Sequence, residues 1–219
     1  MAYTHLKDNV LAWAESVLSR HRFAHVRGVY ATVVELASSY GFQTLSMRQA
    51  AIAAIVHDIA REYRFDRLIH EAKRLKVEVS AWDLNIPMVL HARIAPALLA
   101  ERFQVHDPVI AEAMWDHTTA HSEMSEVGKL LYVADKLEGV TRDPLWREPG
   151  WQIATDGKPD ALNRALLWCL EESIAMLQQS NKPIHPDTLM AQQAICEQLK
   201  AFQGVTKVMS DNNVLYPHF

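Results

Sequence analysis

The chain has 219 residues, 49% of them hydrophobic, with 22 Lys+Arg against 26 Asp+Glu and a formal net charge of −4. That length and apolar content support one sizeable core, and no Pro/Gly/Ser-rich linker divides it, so a single domain over 1–219 is expected. A pI near 6.2 leaves no broad cationic surface for duplex nucleic acid, and the longest apolar run, Ala50 to Val56, is far too short to cross a bilayer.

Taken in chain order, the apolar residues repeat with helical spacing almost everywhere. Leu6, Val10, Trp13, Val17 and Leu18 mark a first helix, and Phe23, Val26, Val29, Val33, Leu36 and Tyr40 a second that ends before Gly41. Ser46 with Gln49 three residues on forms a capping-box pattern, which predicts a third helix running through Val56 and apolar on all sides. A fourth is expected from Asp66 to Lys76. Another follows His91, with Pro96 suited to a first turn rather than a helix interior. Asp107-Pro108 begins a helix through Trp115, and Ser125 begins one running to about Glu138. The 141–158 stretch, with Pro144, Pro149, Gly150 and Gly157, reads as a long excursion. Helices resume over Asp160 to Gln179 and Asp187 to Phe202, and the tail after Gly204 is weakly patterned. No run of alternating strands is present, so the class is all-α. The start, MAYTHLKDNV, carries no charged-then-apolar leader, and Cys169 and Cys196 form no CxxC. A soluble protein of the reducing cytoplasm, without a thiolate metal site, is expected.

Six ionisable residues fall on the apolar faces of these helices. His25 lies between Val26, Val29 and Leu36; His57 and Asp58 end the most apolar helix; His91 follows Pro87-Met-Val-Leu90. His117 is in register with Ile110, Ala113 and Met114, and Asp135 with Leu131 and Val127. Taken singly, each reads as a satisfied core histidine or as a capping or ion-paired carboxylate. Together they favour a metal centre, because buried carboxylates need a positive partner and imidazole with carboxylate is what Zn, Fe, Mn or Ni takes. Consecutive helical residues point ~100° apart. His57 and Asp58 therefore share one cavity only if it lies between their directions, where Asp58 can bridge two ions.

The order His25, His57-Asp58, His91, His117, Asp135 resembles the H…HD…H…H…D signature of the HD-superfamily metal-dependent phosphohydrolases. RFAH at 22–25, HDIAR at 57–61, HTT at 117–119, AD at 134–135 with Glu138, and IHP at 184–186 resemble the bacterial YqeK-type enzymes, which split diadenosine tetraphosphate symmetrically into two ADP. The similarity covers about 20–200. It implies a helical HD core over about 20–140, with C-terminal helices over about 159–203 packed on it. His25, His57, Asp58 and Asp135 would hold one divalent metal ion, and His91 and His117 a second bridged by Asp58. The ions are usually iron, with manganese or other divalent ions as alternatives. Such a pair acidifies a bridging water and orients it for in-line attack on phosphorus, so no protein nucleophile is required. By the same resemblance Asp58 and Arg61 are the catalytic candidates, and Arg61, Thr118 and Arg142 contacts to a nucleotide substrate; Arg64 joins them because it lies close to the HD pair, in a stretch from Arg61 to Lys76 that otherwise reads as a solvated amphipathic face.

This chain departs from the pattern at Arg61, where lysine is usual, at Ala92 and Ala120, where glycine is usual, and in the EGVTRDP loop at 138–144. A guanidinium pairs bidentately with phosphate but is a different donor from an ammonium. Of the remaining candidates, His25 is preferred to His21 by the RFxH match, and His121 is placed in a loop beyond the site. Thr118 reads equally as a helix-terminating residue, His185 as a turn residue packing the last helices, and the Trp residues as core, with one near the site able to stack on adenine. The alternatives to the symmetrical hydrolase are hydrolysis of another nucleotide, a di-iron oxygenase with strict iron and oxygen dependence, and a ligand-sensing module without turnover. A homodimer is left open; nucleic acid and membrane are not expected partners.

Overall fold

The computed structural model describes residues 3–212, with side chains to 203, and among the described residues there are helices and no strand. They are α1 (Tyr3–Val17), α2 (Arg20–Ser39), α3 (Thr44–Val56), α4 (Phe65–Arg74), α5 (Ala81–Asn85), a 3₁₀ turn (Pro87–Val89), α6 (Leu90–Phe103), α7 (Pro108–Asp116), α8 (Glu126–Leu137), α9 (Pro144–Ala154), α10 (Ala161–Gln179) and α11 (Pro186–Asn212). The all-α expectation holds. The stretch beyond 212 lies outside the described residues.

α3 is the hub. Ala50 to Val56 are all buried, and the helix packs against α1, α2, α6, α7 and α8. A helix that is apolar all round has no face for water, so it is stable only when neighbours enclose it. α8 is nearly as enclosed, with Leu130 to Ala134 fully buried, and it joins the α2–α3–α7 group to the α9–α10–α11 group. Truncating a fully buried hub residue such as Ile55 to Ala is worth ~2–5 kcal/mol.

Four local expectations are corrected. α3 begins at Thr44 rather than Ser46, without a side-chain cap, and Gln49 donates instead to Asp107 Oδ2 across 2.8 Å. Pro96 sits inside α6, not in its first turn. The helix tolerates the lost N–H because His91 to Ala95 before the proline and Leu98 and Leu99 after it are all buried. The 141–158 stretch contains α9, capped by Asp143, whose side chain accepts from Leu145 N, with Pro144 at the first turn. Gly150 serves packing rather than a turn, since a Cβ there would collide with the Trp168 ring. The Trp residues are not uniformly core: Trp13 is buried, Trp82 is 44% exposed, and Trp146 stacks at a tilt on Trp168, their centroids 5.3 Å apart.

Candidate metal centre

The six residues on apolar faces converge. His25 comes from the second turn of α2, Asp135 from the last turn of α8, and His57 and Asp58 from the C-terminal end of α3, where the helix unwinds into turns. His91 starts α6 and His117 ends α7. All six are buried, at 0–6% exposure.

The two oxygens of Asp58 face two different sets of imidazoles. Oδ2 lies 3.6 Å from Nε2 of both His25 and His57, while Oδ1 lies 3.1 Å from His91 Nε2 and 3.7 Å from His117 Nε2. Asp135 Oδ1 closes the first set, 3.0 Å from His25 Nε2 and 3.8 Å from His57 Nε2. The ligand atoms of the adjacent His57 and Asp58 thus lie in one cluster.

The tautomers follow from what the other ring nitrogens meet. His57 Nδ1 faces Ala54 O at 2.8 Å, His117 Nδ1 faces Met114 O at 2.6 Å, and His91 Nδ1 faces Met88 O. A carbonyl oxygen only accepts, so each Nδ1 donates and each neutral ring keeps its lone pair on Nε2. In all three the acceptor is the carbonyl three residues earlier. His25 differs, with Nδ1 set 3.2 Å from the carboxylate of the fully buried Glu138.

This arrangement is incomplete without a cation. His91 Nε2 and His117 Nε2 are 3.1 Å apart, and with both Nδ1 protons committed to carbonyls, two lone pairs face each other. His57 Nε2 is buried with no hydrogen-bond partner. Burial pushes His57 down to about 4 and also lowers His91 and His117, so a proton is not what separates them near neutral pH. Burial alone would raise Asp58, but the surrounding imidazoles hold it well below the usual carboxylate range; Asp135 is likewise held down against burial by Lys136 and His25. For His25, Asp135 and Glu138 outweigh burial and raise it. The neutral imidazoles of His57, His91 and His117, beside ionised carboxylates, are donors that suit a divalent ion. Among the described residues there are two such groups, His25–His57–Asp135 and His57–Asp58–His117, with His57 common to both.

The centre forms part of the wall of a cleft of about 660 Å³. Of the substrate-contact candidates, Arg61, Thr118 and Arg142 line it; Arg64 does not, its side chain being 89% exposed and paired at the surface with Asp66. Arg142 donates to Asp135 O and Oδ1. Arg61 is engaged by no carboxylate among the described residues, its Nη1 resting 3.3 Å from Met88 Sδ. His21 and His121 are exposed and apart from the cluster. Ala120 adopts φ +60, a left-handed conformation that glycine takes without cost and alanine does not.

Arg22 and Lys136 were given no role by sequence, and Glu138 entered only beside the AD pair of the resemblance. Arg22 donates to Asp58 Oδ2 at 2.7 Å and Lys136 to Asp135 Oδ2 at 2.6 Å. Glu138 accepts from Val140 N at 2.6 Å, from Thr141 N at 3.0 Å and from the Thr141 hydroxyl, and these bonds with His25 hold it down to about 2 against burial. The signal was adjacency: Arg22 lies one helical turn before His25, and Lys136 and Glu138 follow closely on Asp135.

Comparison with known proteins agrees with this geometry. A model of the family described as HD domain matches residues 22–139. The symmetrical bis(5'-nucleosyl)-tetraphosphatase of Bacillus subtilis (strain 168) is 30% identical over 184 residues, covering 84% of this chain and 94% of that protein. The protein of the same name from Halalkalibacterium halodurans is 32% identical over 173 residues, covering 78% and 87%. Among solved structures, a "predicted HD superfamily hydrolase involved in NAD metabolism" from Clostridium acetobutylicum superposes with a TM-score of 0.78 at 25% identity, over 87% of this chain and 97% of that one.

Proposed function

The chain belongs to the HD domain family, and from that premise we propose that it is a metal-dependent hydrolase of nucleotide phosphoanhydrides, acting on diadenosine tetraphosphate to give two ADP. The observation that carries this reading is the convergence of four imidazoles, each with Nδ1 held by a fixed partner, on the two oxygens of Asp58 and on Asp135. His25, His57, Asp58 and Asp135 would hold one ion, and His91 and His117 a second that shares Asp58. Iron is the first candidate, with manganese next. Divalent ions held there supply Lewis-acid polarisation of phosphate oxygens and acidification of the attacking water.

The chain's own groups divide the remaining work. Arg22 and Lys136 are fixed on the two aspartates, where they hold the carboxylates in place and offset their charge. Arg61, with no such anchor, is a cation free to pair with a polyphosphate entering the cleft. Arg142 is half committed to Asp135 and offers its remaining donors to the same phosphates. The buried surroundings of the centre strengthen each of these contacts relative to water. Two unpaired cysteines, and the lack among the described residues of any helix long and apolar enough to cross a membrane, are compatible with a cytoplasmic setting.

The test is elemental analysis of the purified protein followed by incubation with diadenosine tetraphosphate and Fe²⁺ or Mn²⁺, products being separated by anion-exchange chromatography. ADP as sole product is expected, and Asp58→Asn should lose bound metal and turnover together. AMP with ATP would overturn the symmetrical reading, and no product from any nucleotide would overturn the hydrolase.

A further inference from the structure

Part of the cleft has no role in holding metal. Its walls are the 3₁₀ turn, through Ile86 and Val89, and the end of α10 with the turn after it, where Met176, Leu177 and Pro183 stand beside Ser180 and Lys182. Three buried polar atoms of cleft-lining residues nevertheless have no hydrogen-bond partner: Arg22 Nε, on the residue that holds Asp58, and, away from the aspartates, Thr118 Oγ1 and His185 Nε2.

His185 is 7% exposed, and its ring is fixed on two sides. Asp187 N–H donates to Nδ1 at 3.2 Å, and Trp82 meets the ring edge-on with centroids 6.0 Å apart. The Thr188 hydroxyl donates to Thr119 O at 2.7 Å, which ties the His185 turn to the Thr118-Thr119 turn directly after His117. Because Nδ1 accepts, the neutral ring carries its proton on Nε2, which is therefore a donor. Burial lowers the ring's pKa, so the neutral form is the resident one near pH 7. A buried donor without an acceptor is a standing penalty that a ligand acceptor would remove.

The class of ligand follows from the surroundings. Phosphate oxygens are drawn to Arg61 and Arg142 beside the metal centre, and a further lining cation, Lys182, stands in the turn after α10. A neutral N–H and a hydroxyl beside the apolar residues of these walls suit an uncharged group with acceptor atoms on a flat apolar body. We propose that His185 is the specificity-determining residue of this protein, donating Nε2–H to the nucleoside portion of the substrate, with the Thr118 hydroxyl as its companion. The assignment rests on the nucleotide reading above and names the group that reads the nucleoside.

The experiment is calorimetric titration of the Zn²⁺-loaded full-length protein with ADP and, separately, with inorganic pyrophosphate. Wild type should bind ADP more tightly than pyrophosphate. His185→Phe, which keeps a ring but no donor, should weaken ADP by about 10-fold and leave pyrophosphate within about 2-fold, while His185→Gln, which keeps a donor near Nε2, should retain most of the ADP affinity. Should the Phe variant not fold, the wild type labelled with ¹⁵N-histidine still decides: ADP must shift the His185 Nε2 resonance and pyrophosphate must not. Equal wild-type affinity for the two ligands, an equal fall for both in His185→Phe, no fall for ADP, or a Nε2 resonance indifferent to ADP would each overturn the inference. If wild type hydrolyses no dinucleoside polyphosphate while ADP binding still depends on His185, the reaction assignment fails and the nucleoside contact stands; hydrolysis with His185-independent binding is the reverse.

Discussion

Glu138→Gln is the sharpest perturbation of the centre, because it keeps the shape of a fully buried side chain and changes only what it accepts. One carboxylate oxygen meets His25 Nδ1, Thr141 N and the Thr141 hydroxyl; the other meets Val140 N at 2.6 Å and Thr141 N at 3.1 Å. Whichever oxygen the amide NH₂ replaces, a donor comes to face a donor, and the remaining contacts lose their full charge. One lost charge-assisted bond is worth ~1.5–3 kcal/mol. If that loss falls on the orientation and basicity of His25, it corresponds to ~10–100-fold in metal affinity, the range typical of partners behind a ligating histidine. Affinity is measured by competition with a chelating dye, alongside thermal unfolding without metal. A folded Glu138→Gln protein with metal affinity within about 2-fold of wild type would refute the reasoning that Glu138 sets the His25 ligand.

Other expectations are open to the same kind of measurement. Arg61→Ala should raise KM for the polyphosphate substrate by the equivalent of ~1.5–3 kcal/mol while metal content is unchanged; unaltered kinetics would remove Arg61 from the substrate contacts. Burial pushes Asp83 up, but Ser80 and Arg93 outweigh it and hold the carboxyl below its usual range, with Arg93 Nε donating to Oδ1 at 3.0 Å. The stabilisation from a depressed carboxyl is complete above the unfolded pKa of about 3.9 and is lost as pH falls through the folded value. Asp83→Asn should therefore be less stable than wild type by ~3–5 kcal/mol near pH 7, with the gap closing in acid; a gap independent of pH would sink this account. Burial pushes the Cys169 thiol up to about 12. At pH 8 a thiol reagent should thus label the partly accessible Cys196 in the native protein and both cysteines only after unfolding, as counted by mass spectrometry.

The parts of the molecule that were legible in its sequence share a cause. His25, His57, Asp58, His91, His117 and Asp135 stood out because each broke an apolar pattern, and a buried ionisable group must have a partner. Arg22, Lys136 and Glu138 broke no pattern; beside a ligand, an ionisable residue looks the same whether it faces solvent or a carboxylate. Arg64 illustrates the converse, since nearness in sequence to the HD pair does not bring it into the cleft. α9 was hidden by its own composition: Pro144 and Gly150 are turn residues by habit, but here one starts a helix and the other makes room for Trp168. Pro96 was misplaced because local propensity was weighed without the enclosure around α6, which overrides it.

Three of the four imidazoles answer to main-chain oxygens at Ala54, Met88 and Met114, which no codon change can delete. Drift in the sequence can replace those residues freely as long as the backbone path survives. Heritable retuning of the histidine ligands through the partners of their rings is therefore channelled to a single side chain, while the other three rings change direction only when a helix end moves.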